Sequence, residues 1–208
     1  MTEVDPTLPP VDAVGYVIGD PSAPVEVLEF ADWECGACAQ FATLTAPDVK
    51  QRLVETGQIR FRIMDVPWHT NSWTASLAAA CANDQGKFWE MHDALYNTQD
   101  RWNTLATNNP LKPIVAAARG VGIDTRALEQ CVEARTHQAS VQSHLKEAEA
   151  RGVRATPTFI IGGKVIPGAI GYDRFKAYVD TAVAAVRSGA GSSVGAPVSG
   201  PPAGAVVR

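Results

Sequence analysis

The sequence predicts an α/β domain into which a block of helices is inserted. Three observations support this prediction: two β-rich runs flank a helical pattern near the N-terminus, a long helical stretch follows, and strand signals return before a final amphipathic helix. The length of 208 residues and an apolar share of 46% suit one domain with an insertion. A net charge of −4 without a basic run argues against a nucleic-acid-binding protein, and no apolar run is long enough to span a bilayer.

The N-terminal part predicts a β-α-β unit. A β-rich run at residues 25–30 follows a turn cluster, and a second run at residues 59–64 predicts the next strand. Between them, apolar residues at helical spacing predict a helix with one buried face, formed by Phe41, Leu44, Val49 and Leu53. We expect Pro47 to kink this helix and Gly57 to follow its C-terminus.

The C-terminal half predicts a helical block followed by two strands and a helix. Helical spacing extends from residue 71 to about residue 152. Two short strands at residues 158–161 and 164–166 are separated by a Gly-Gly turn, which is typical of a hairpin. The last helix carries a sustained apolar stripe from Tyr172 to Val186.

These patterns divide the chain into four units. They are an extended N-terminal tether, residues 1–18; an α/β domain, residues 19–67 and 136–187; an inserted helical domain, residues 68–135; and a disordered tail, residues 188–208. The acidic, Pro-rich start of the chain lacks the positive and apolar regions of a signal peptide. Either the protein is cytosolic or its export signal is absent from this form, and the sequence leaves both open.

A Cys-x-x-Cys pair, Cys35-Gly-Ala-Cys38, lies between the predicted strand at residues 25–30 and the helix that follows it. The free amides and the positive dipole end of a helix favour a thiolate at Cys35 and lower its pKa. Cys38 lies one helical turn further along, close enough to resolve a mixed disulfide formed by Cys35. This spacing predicts a redox-active pair.

Two other uses of a Cys-x-x-Cys pair compete with redox chemistry. A closed zinc site needs two more ligands, and the histidines are scattered along the chain, at His69, His92, His137 and His144. A structural disulfide that closes so short a loop adds only about 2 kcal/mol of stability. Redox chemistry is therefore the favoured interpretation, and no role is assigned to the lone histidines.

The sequence around the pair resembles the thioredoxin fold, and the DsbA family in particular. The resemblance rests on the strand before Cys35-Gly-Ala-Cys38, on Ala155-Thr-Pro-Thr-Phe159 before a hairpin, and on the helical block between the two halves. Within that block, Gln85-Gly-Lys-Phe-Trp89 and Met91-His-Asp93 are also similar to DsbA-like proteins. The similarity extends from about residue 19 to residue 186 and implies a DsbA-like thiol:disulfide oxidoreductase.

The resemblance assigns roles to individual residues. It implies a cis peptide bond before Pro157, where Thr156 and Pro157 would pair with an extended substrate. It also implies that Glu29 is a buried acid that relays the proton of the second cysteine. Because a carboxylate in a central strand is costly unless paired or protonated, an exposed position for Glu29 or a pairing with Arg60 or Arg62 stays open.

The second pair of cysteines, Cys81 and Cys131, lies on apolar helix faces of the inserted block. They are either two buried thiols or a structural disulfide, which the resemblance favours and which would indicate an oxidising compartment. Two departures from the family leave the redox potential open. Glu34 would raise the pKa of Cys35 if its carboxylate pointed inward, and the Gly-Ala dipeptide lacks the histidine of strongly oxidising relatives.

The resemblance implies a protein that oxidises dithiols in unfolded exported polypeptides and is reoxidised by a quinone-linked membrane oxidase of the DsbB or VKOR type. It would act as a monomer in the periplasm or another extracytoplasmic compartment, with a cytoplasmic location left open, and would need no metal or cofactor. A disulfide reductase or isomerase of the same fold is the alternative. A copper metallochaperone is disfavoured, because copper carriers with this fold generally use a Cys-x₃-Cys spacing.

Overall fold

The computed structural model describes residues 4–189, which include a five-stranded mixed sheet in the order β1-β3-β2-β4-β5. Strand β2 is parallel to β3, and the other neighbouring pairs are antiparallel. The predicted β-α-β unit and C-terminal hairpin are therefore confirmed. The strands are β1 (Tyr16–Ile18), β2 (Val25–Ala31), β3 (Ile59–Asp65), β4 (Thr158–Ile161) and β5 (Lys164–Pro167).

Helices surround the sheet and form the inserted block. None of the helices in residues 4–189 combines the length and the apolar composition needed to cross a membrane. The α-helices of the described chain are α1 (Gly36–Gln40), α2 (Ala46–Val49), α3 (Ser72–Asn83), α4 (Phe88–Asn97), α5 (Gln99–Trp102), α6 (Leu111–Gly120), α7 (Thr125–Glu133), α8 (Gln138–Ala150) and α9 (Tyr172–Arg187).

The redox helix, residues 36–54, contains two π-helical segments, Phe41–Thr45 and Lys50–Val54, after α1 and α2. Pro47 lies in the first turn of α2, directly after the first of them, so the chain stays helical where Pro47 cannot donate an amide hydrogen bond. Leu44 is 70% exposed, and the prediction that it is buried beside Phe41 is wrong. In an α-helix, with 3.6 residues per turn, a residue three positions after Phe41 lies on the same face as Phe41. The wider π-helical winding rotates Leu44 away from that buried face.

The edge strand β1 corrects the predicted N-terminal tether. Residues 16–18 pair with β3, where Tyr16 lies opposite Ile63. The ring of Tyr16 also stacks on Phe88, with the ring centroids 3.8 Å apart. The tether prediction is therefore wrong for these three residues, because so short a strand shows no alternating pattern in the sequence.

The other predicted boundaries fall between elements of the structure. The predicted inserted domain, residues 68–135, contains α3 to α7, and α8 returns to the sheet, where Ala148 shares a hydrophobic cluster with Leu28 and Phe30. The predicted tail begins just after α9, and its residues 190–208 lie outside the described residues. The division into two domains stays a prediction.

Two hydrophobic clusters meet beneath the redox helix. One lies between the sheet and α9 and includes the rings of Phe41, Phe159 and Phe175, which meet in tilted and edge-to-face contacts. The other joins the end of β2 to the helical block through Trp33, whose ring contacts Phe88. Because close-packed cores resist displacement, these clusters fix the turn that carries the cysteine pair.

Candidate active site

Cys35 and Cys38 lie at the start of α1, directly after the buried end of β2. Cys35 is the N-cap residue, and the amide of Cys38 donates a hydrogen bond to its Sγ over 3.4 Å. Cys35 is half-buried, whereas Cys38 is only 1% exposed. Both thiols are free, so the structure shows the reduced pair.

The surroundings of the two thiols move their pKa values in opposite directions. Hydrogen bonds from the side chains of Cys38 and Thr156 and from the amides of Cys38 and Ala37 outweigh partial burial and lower the pKa of Cys35 to about 5. Burial raises the pKa of Cys38 far above its usual range, and the hydrogen bond to Cys35 adds to this effect. At neutral pH the arrangement favours a thiolate at Cys35 and a protonated thiol at Cys38.

The residues predicted to bind substrate lie beside Cys35. The peptide bond between Thr156 and Pro157 is cis, and the carbonyl oxygen of Thr156 lies 3.2 Å from Cys35 Sγ. Pro157 is buried and leads directly into β4, which pairs with β2 next to the cysteine turn. The structure thus brings both predicted residues to the sulfur atom, while their role toward a substrate stays a prediction.

Glu29 is buried in the central strand β2, with 3% of its surface exposed. It lies between Ile63 of β3 and Phe159 of β4, so the exposed position considered for it is wrong. Burial raises the pKa of Glu29 to about 8, and the nearby charge of Cys35 adds to the shift. At neutral pH the arrangement favours a protonated carboxyl group.

Neither arginine of β3 is the partner of Glu29. Both bind Glu26, with Nε–Oε distances of 2.6 Å for Arg60 and 2.9 Å for Arg62. Successive residues of a strand point to opposite faces, and Glu26 lies opposite Arg60 in the parallel register. Glu26 and Glu29 are three residues apart and therefore face opposite sides of the sheet, which excludes the pairing considered from the sequence.

A cavity of about 490 Å³ opens beside Glu29. Residues of both π-helical segments line one part of it, and residues of α4 line another. In α4, Nδ1 of His92 lies 2.8 Å from the carboxylate of Asp93, and both residues line the cavity. The buried carboxyl group of Glu29 thus borders a space that also contains a more exposed acid.

Glu34, directly before the nucleophile, binds the helical block. One carboxylate oxygen accepts hydrogen bonds from the amides of Asn71 (2.6 Å) and Ser72 (2.9 Å) at the start of α3. The other accepts from the amide and the hydroxyl of Thr104, both at 2.5 Å. The carboxylate therefore caps α3 from a distant segment, and the dominant hydrogen bonds to Cys35 come from other residues.

Replacing Glu34 with alanine is expected to lower the free energy of unfolding by about 1–3 kcal/mol, because several amide and hydroxyl donors lose a charged acceptor. Urea unfolding of the reduced protein measures the change. Glu90→Ala is the matched control, since Glu90 forms only an exposed ion pair with Lys87, worth about 0–1 kcal/mol. Equal losses in the two variants would contradict the assigned role of Glu34.

The buried carboxylate of Asp32 and the amide of Gln99 also hold the cysteine turn. Asp32 accepts hydrogen bonds from the amides of Trp68 (2.7 Å) and His69 (3.1 Å) after β3. Gln99, from the helical block, donates to the carbonyl oxygens of Trp33 (2.7 Å) and Cys35 (3.3 Å). Neither Asp32 nor Gln99 is among the site residues predicted from the sequence, because these partners lie far apart in the chain.

Cys81 and Cys131 are joined by a disulfide bond between α3 and α7, with an S–S distance of 2.01 Å. A ring nitrogen of His137 lies within 4.8 Å of both sulfur atoms. Because the two sulfur atoms are bonded to each other, this group has no thiolate to offer a metal ion, and it contains neither Cys35 nor Cys38.

A free Cys-x-x-Cys pair at the start of a helix, beside a proline-led strand and covered by an inserted helical block, is the arrangement of a DsbA-type thiol:disulfide oxidoreductase. Residues 12–181 match the family model described as Thioredoxin, and the chain therefore belongs to the thioredoxin family.

Two solved structures show the same fold. BdbD from Bacillus subtilis, in its oxidised form, has a TM-score of 0.73 and 24% sequence identity, with 84% of this chain and 100% of that chain covered. Alpha-DsbA1 from Wolbachia pipientis has a TM-score of 0.72 and 21% identity, with coverage of 83% and 92%. The predicted DsbA-like fold with a helical insertion is thus confirmed.

Curated relatives differ in how much of their length the chain matches. Disulfide bond formation protein D of Bacillus subtilis is 26% identical over 171 residues, which cover 79% of this chain and 75% of that protein. The Na⁺/H⁺ antiporter NhaA 1 of Salinispora arenicola is 30% identical over 177 residues, which cover 83% of this chain and 25% of the antiporter. The chain therefore spans about a quarter of the antiporter.

Proposed function

We propose that this protein donates the Cys35–Cys38 disulfide to dithiols in unfolded, exported polypeptides. A substrate thiolate attacks Sγ of Cys35, the bond to Cys38 breaks, and Cys38 takes up a proton. The second substrate thiolate then attacks the substrate sulfur of this mixed disulfide and releases Cys35 as a thiolate. Two electrons pass from the substrate dithiol, which becomes a disulfide, to the protein, which becomes reduced.

The observation that carries this proposal is the contrast between the two thiols. Hydrogen bonds to Cys35 stabilise the thiolate that the reaction releases and lower its pKa to about 5. A protein whose reduced form is stabilised in this way gives its disulfide away more readily. The same thiolate is a good leaving group in the second step, which favours release of the oxidised substrate.

Glu29 is proposed to supply the proton that Cys38 takes up. Burial keeps its pKa near 8, so it is protonated at neutral pH, and once it has given up its proton its negative charge raises the pKa of Cys38. The cavity beside Glu29 offers a path by which the carboxyl group regains its proton from solvent. A buried acid with this access to a cavity is suited to proton transfer.

The substrate is proposed to bind in extended form next to Thr156 and Pro157, where its backbone can approach Cys35. Reoxidation by a quinone-linked membrane oxidase of the DsbB or VKOR type would complete the cycle, with the protein acting as a monomer outside the cytoplasm. The name of disulfide bond formation protein D of Bacillus subtilis supports the proposed activity, and that of a periplasmic thioredoxin-like protein from Salmonella enterica supports a location outside the cytoplasm.

Equilibration in graded glutathione buffers, followed by alkylation and mass counting, tests the direction. We expect a Cys35–Cys38 potential closer to the roughly −120 mV of DsbA than to the −270 mV of thioredoxin. The Cys81–Cys131 pair serves as the internal control and is expected to stay oxidised in the same samples. A potential near that of thioredoxin would overturn the proposal in favour of a reductase or isomerase.

A further inference from the structure

The loop after β3 brings a histidine to the turn that carries Cys35. Nδ1 of His69 lies 2.9 Å from the carboxylate of Asp32, and the side chain of His69 is 54% exposed. Asp32 is fully buried, and its backbone oxygen accepts a hydrogen bond from the amide of Cys35 over 3.1 Å. Asp32 thus links the imidazole to the turn of the nucleophile.

The turn before Cys35 carries two acidic side chains. The hydroxyl of Ser72 donates hydrogen bonds to both carboxylates, over 2.5 Å to Asp32 and over 3.5 Å to Glu34. Negative charge on the turn that precedes a thiol opposes the formation of a thiolate. A cation at His69 offsets them, and no other cationic side chain is bonded to either carboxylate in residues 4–189.

We propose that His69 is a positioning residue that takes up a proton when the Cys35–Cys38 disulfide is reduced. A dithiol supplies two electrons and two protons and itself becomes a disulfide. One proton goes to the thiol of Cys38 and the other to the imidazole of His69, while Cys35 stays a thiolate. This inference rests on the proposed assignment of Cys35 as the thiolate of the reduced pair.

The charges around His69 support this coupling. Burial opposes its protonation, but the hydrogen bond and charge of Asp32, together with the charges of Glu34 and Cys35, raise the pKa of His69. Because coupling between two sites is reciprocal, the imidazolium favours the Cys35 thiolate as much as the thiolate favours the imidazolium. In the disulfide form that thiolate is missing, so the pKa of His69 is lower there.

The coupling acts in one pH window. Above the pKa of Cys35, which is about 5, and below both pKa values of His69, the imidazole is protonated in the oxidised and the reduced protein, and reduction takes up one proton, at Cys38. Between the two pKa values, reduction also protonates His69, and the uptake rises toward two protons. Above both values it falls back to one.

The test measures the Cys35–Cys38 potential against pH in glutathione buffers for the unmodified protein, His69→Gln and His69→Lys. We expect the additional proton uptake at His69 only in the unmodified protein, whereas the uptake at Cys35 below about pH 5 is expected in all three proteins. His69→Gln is expected to raise the pKa of Cys35, measured by alkylation rate, by about 0.2–0.7, the equivalent of an exposed ion pair. His69→Lys is expected to keep this pKa low, because its charge does not titrate there.

His137→Gln is the matched control, because His137 binds a carboxylate, Asp84, over 2.7 Å in the helical block. It is expected to retain the steep window. Raising the salt concentration from about 0.1 to 1 M is expected to reduce the difference between His69→Gln and the unmodified protein, since His69 is exposed. The same proton uptake in all three proteins would overturn the role of His69, whereas dithiol oxidation by Cys35→Ser would overturn the proposed function instead.

Discussion

Replacing Cys35 with serine is expected to abolish the oxidation of a peptide dithiol and leave only the uncatalysed background rate. A serine hydroxyl forms no disulfide. Cys38 cannot replace Cys35, because Cys38 is only 1% exposed and its burial keeps the thiol protonated. The assay follows disulfide formation in a dithiol peptide by alkylation and mass. A Cys35→Ser protein that still oxidised the peptide would contradict the assignment of the nucleophile.

Replacing Cys38 with alanine serves as the matched variant, because it removes the resolving thiol and leaves the nucleophile. With oxidised glutathione in the assay as the oxidant, mixed disulfides between Cys35 and substrate are then expected to accumulate and to be visible on non-reducing gels. The pKa of Cys35 is expected to rise, since the hydrogen bond from the Cys38 side chain is its strongest stabilising contact. An unchanged alkylation profile for Cys35 would show that other groups set its pKa.

The parts of the site that depend on nearby residues could be predicted from the sequence. The strand, the Cys-x-x-Cys pair and the helix are consecutive, so their order alone places Cys35 at a helix N-terminus. Glu29 stands out in the sequence because an acid in an apolar strand is unusual. Thr156 and Pro157 lie far from Cys35 in the chain, and only the resemblance to a family connects them to it.

The contacts that hold the cysteine turn could not be predicted in this way. Glu34 binds Thr104, and Gln99 binds the carbonyl of Trp33, across separations of more than sixty residues. Such pairs leave no periodic signal, and a single histidine such as His69 has none either. The error at Leu44 has another cause, because π-helical winding depends on how the helix packs and not on local spacing.

Replacing Glu29 with glutamine is expected to stabilise the reduced protein and to slow its catalysis. The pKa of Glu29 is about 8 in the folded protein against 4.5 when unperturbed. Between these values the folded state binds the proton more tightly than the unfolded state, so stability falls as pH rises. Glutamine stays neutral and avoids this loss, which is on the order of 3 kcal/mol at pH 7.

Urea unfolding of the reduced proteins between pH 5 and pH 9 measures this effect. The advantage of Glu29→Gln is expected to grow with pH up to about 8, the folded pKa, and then to level off. Glu26→Gln is the matched control in the same strand, and it should be less stable than the unmodified protein because it weakens the ion pairs with Arg60 and Arg62. Parallel pH curves for Glu29→Gln and the unmodified protein would show that Glu29 is not the group that titrates.

The kinetic effect of Glu29→Gln separates a proton donor from a buried acid without a role. Glutamine has no carboxyl proton to give, so the release of Cys38 during substrate oxidation is expected to slow by about 10²-fold below pH 8. Above pH 8 the native carboxyl group is itself ionised, and the two rates should converge. A variant that gained stability but kept its rate across this range would exclude Glu29 from proton transfer, and Cys38 would then receive its proton directly from water.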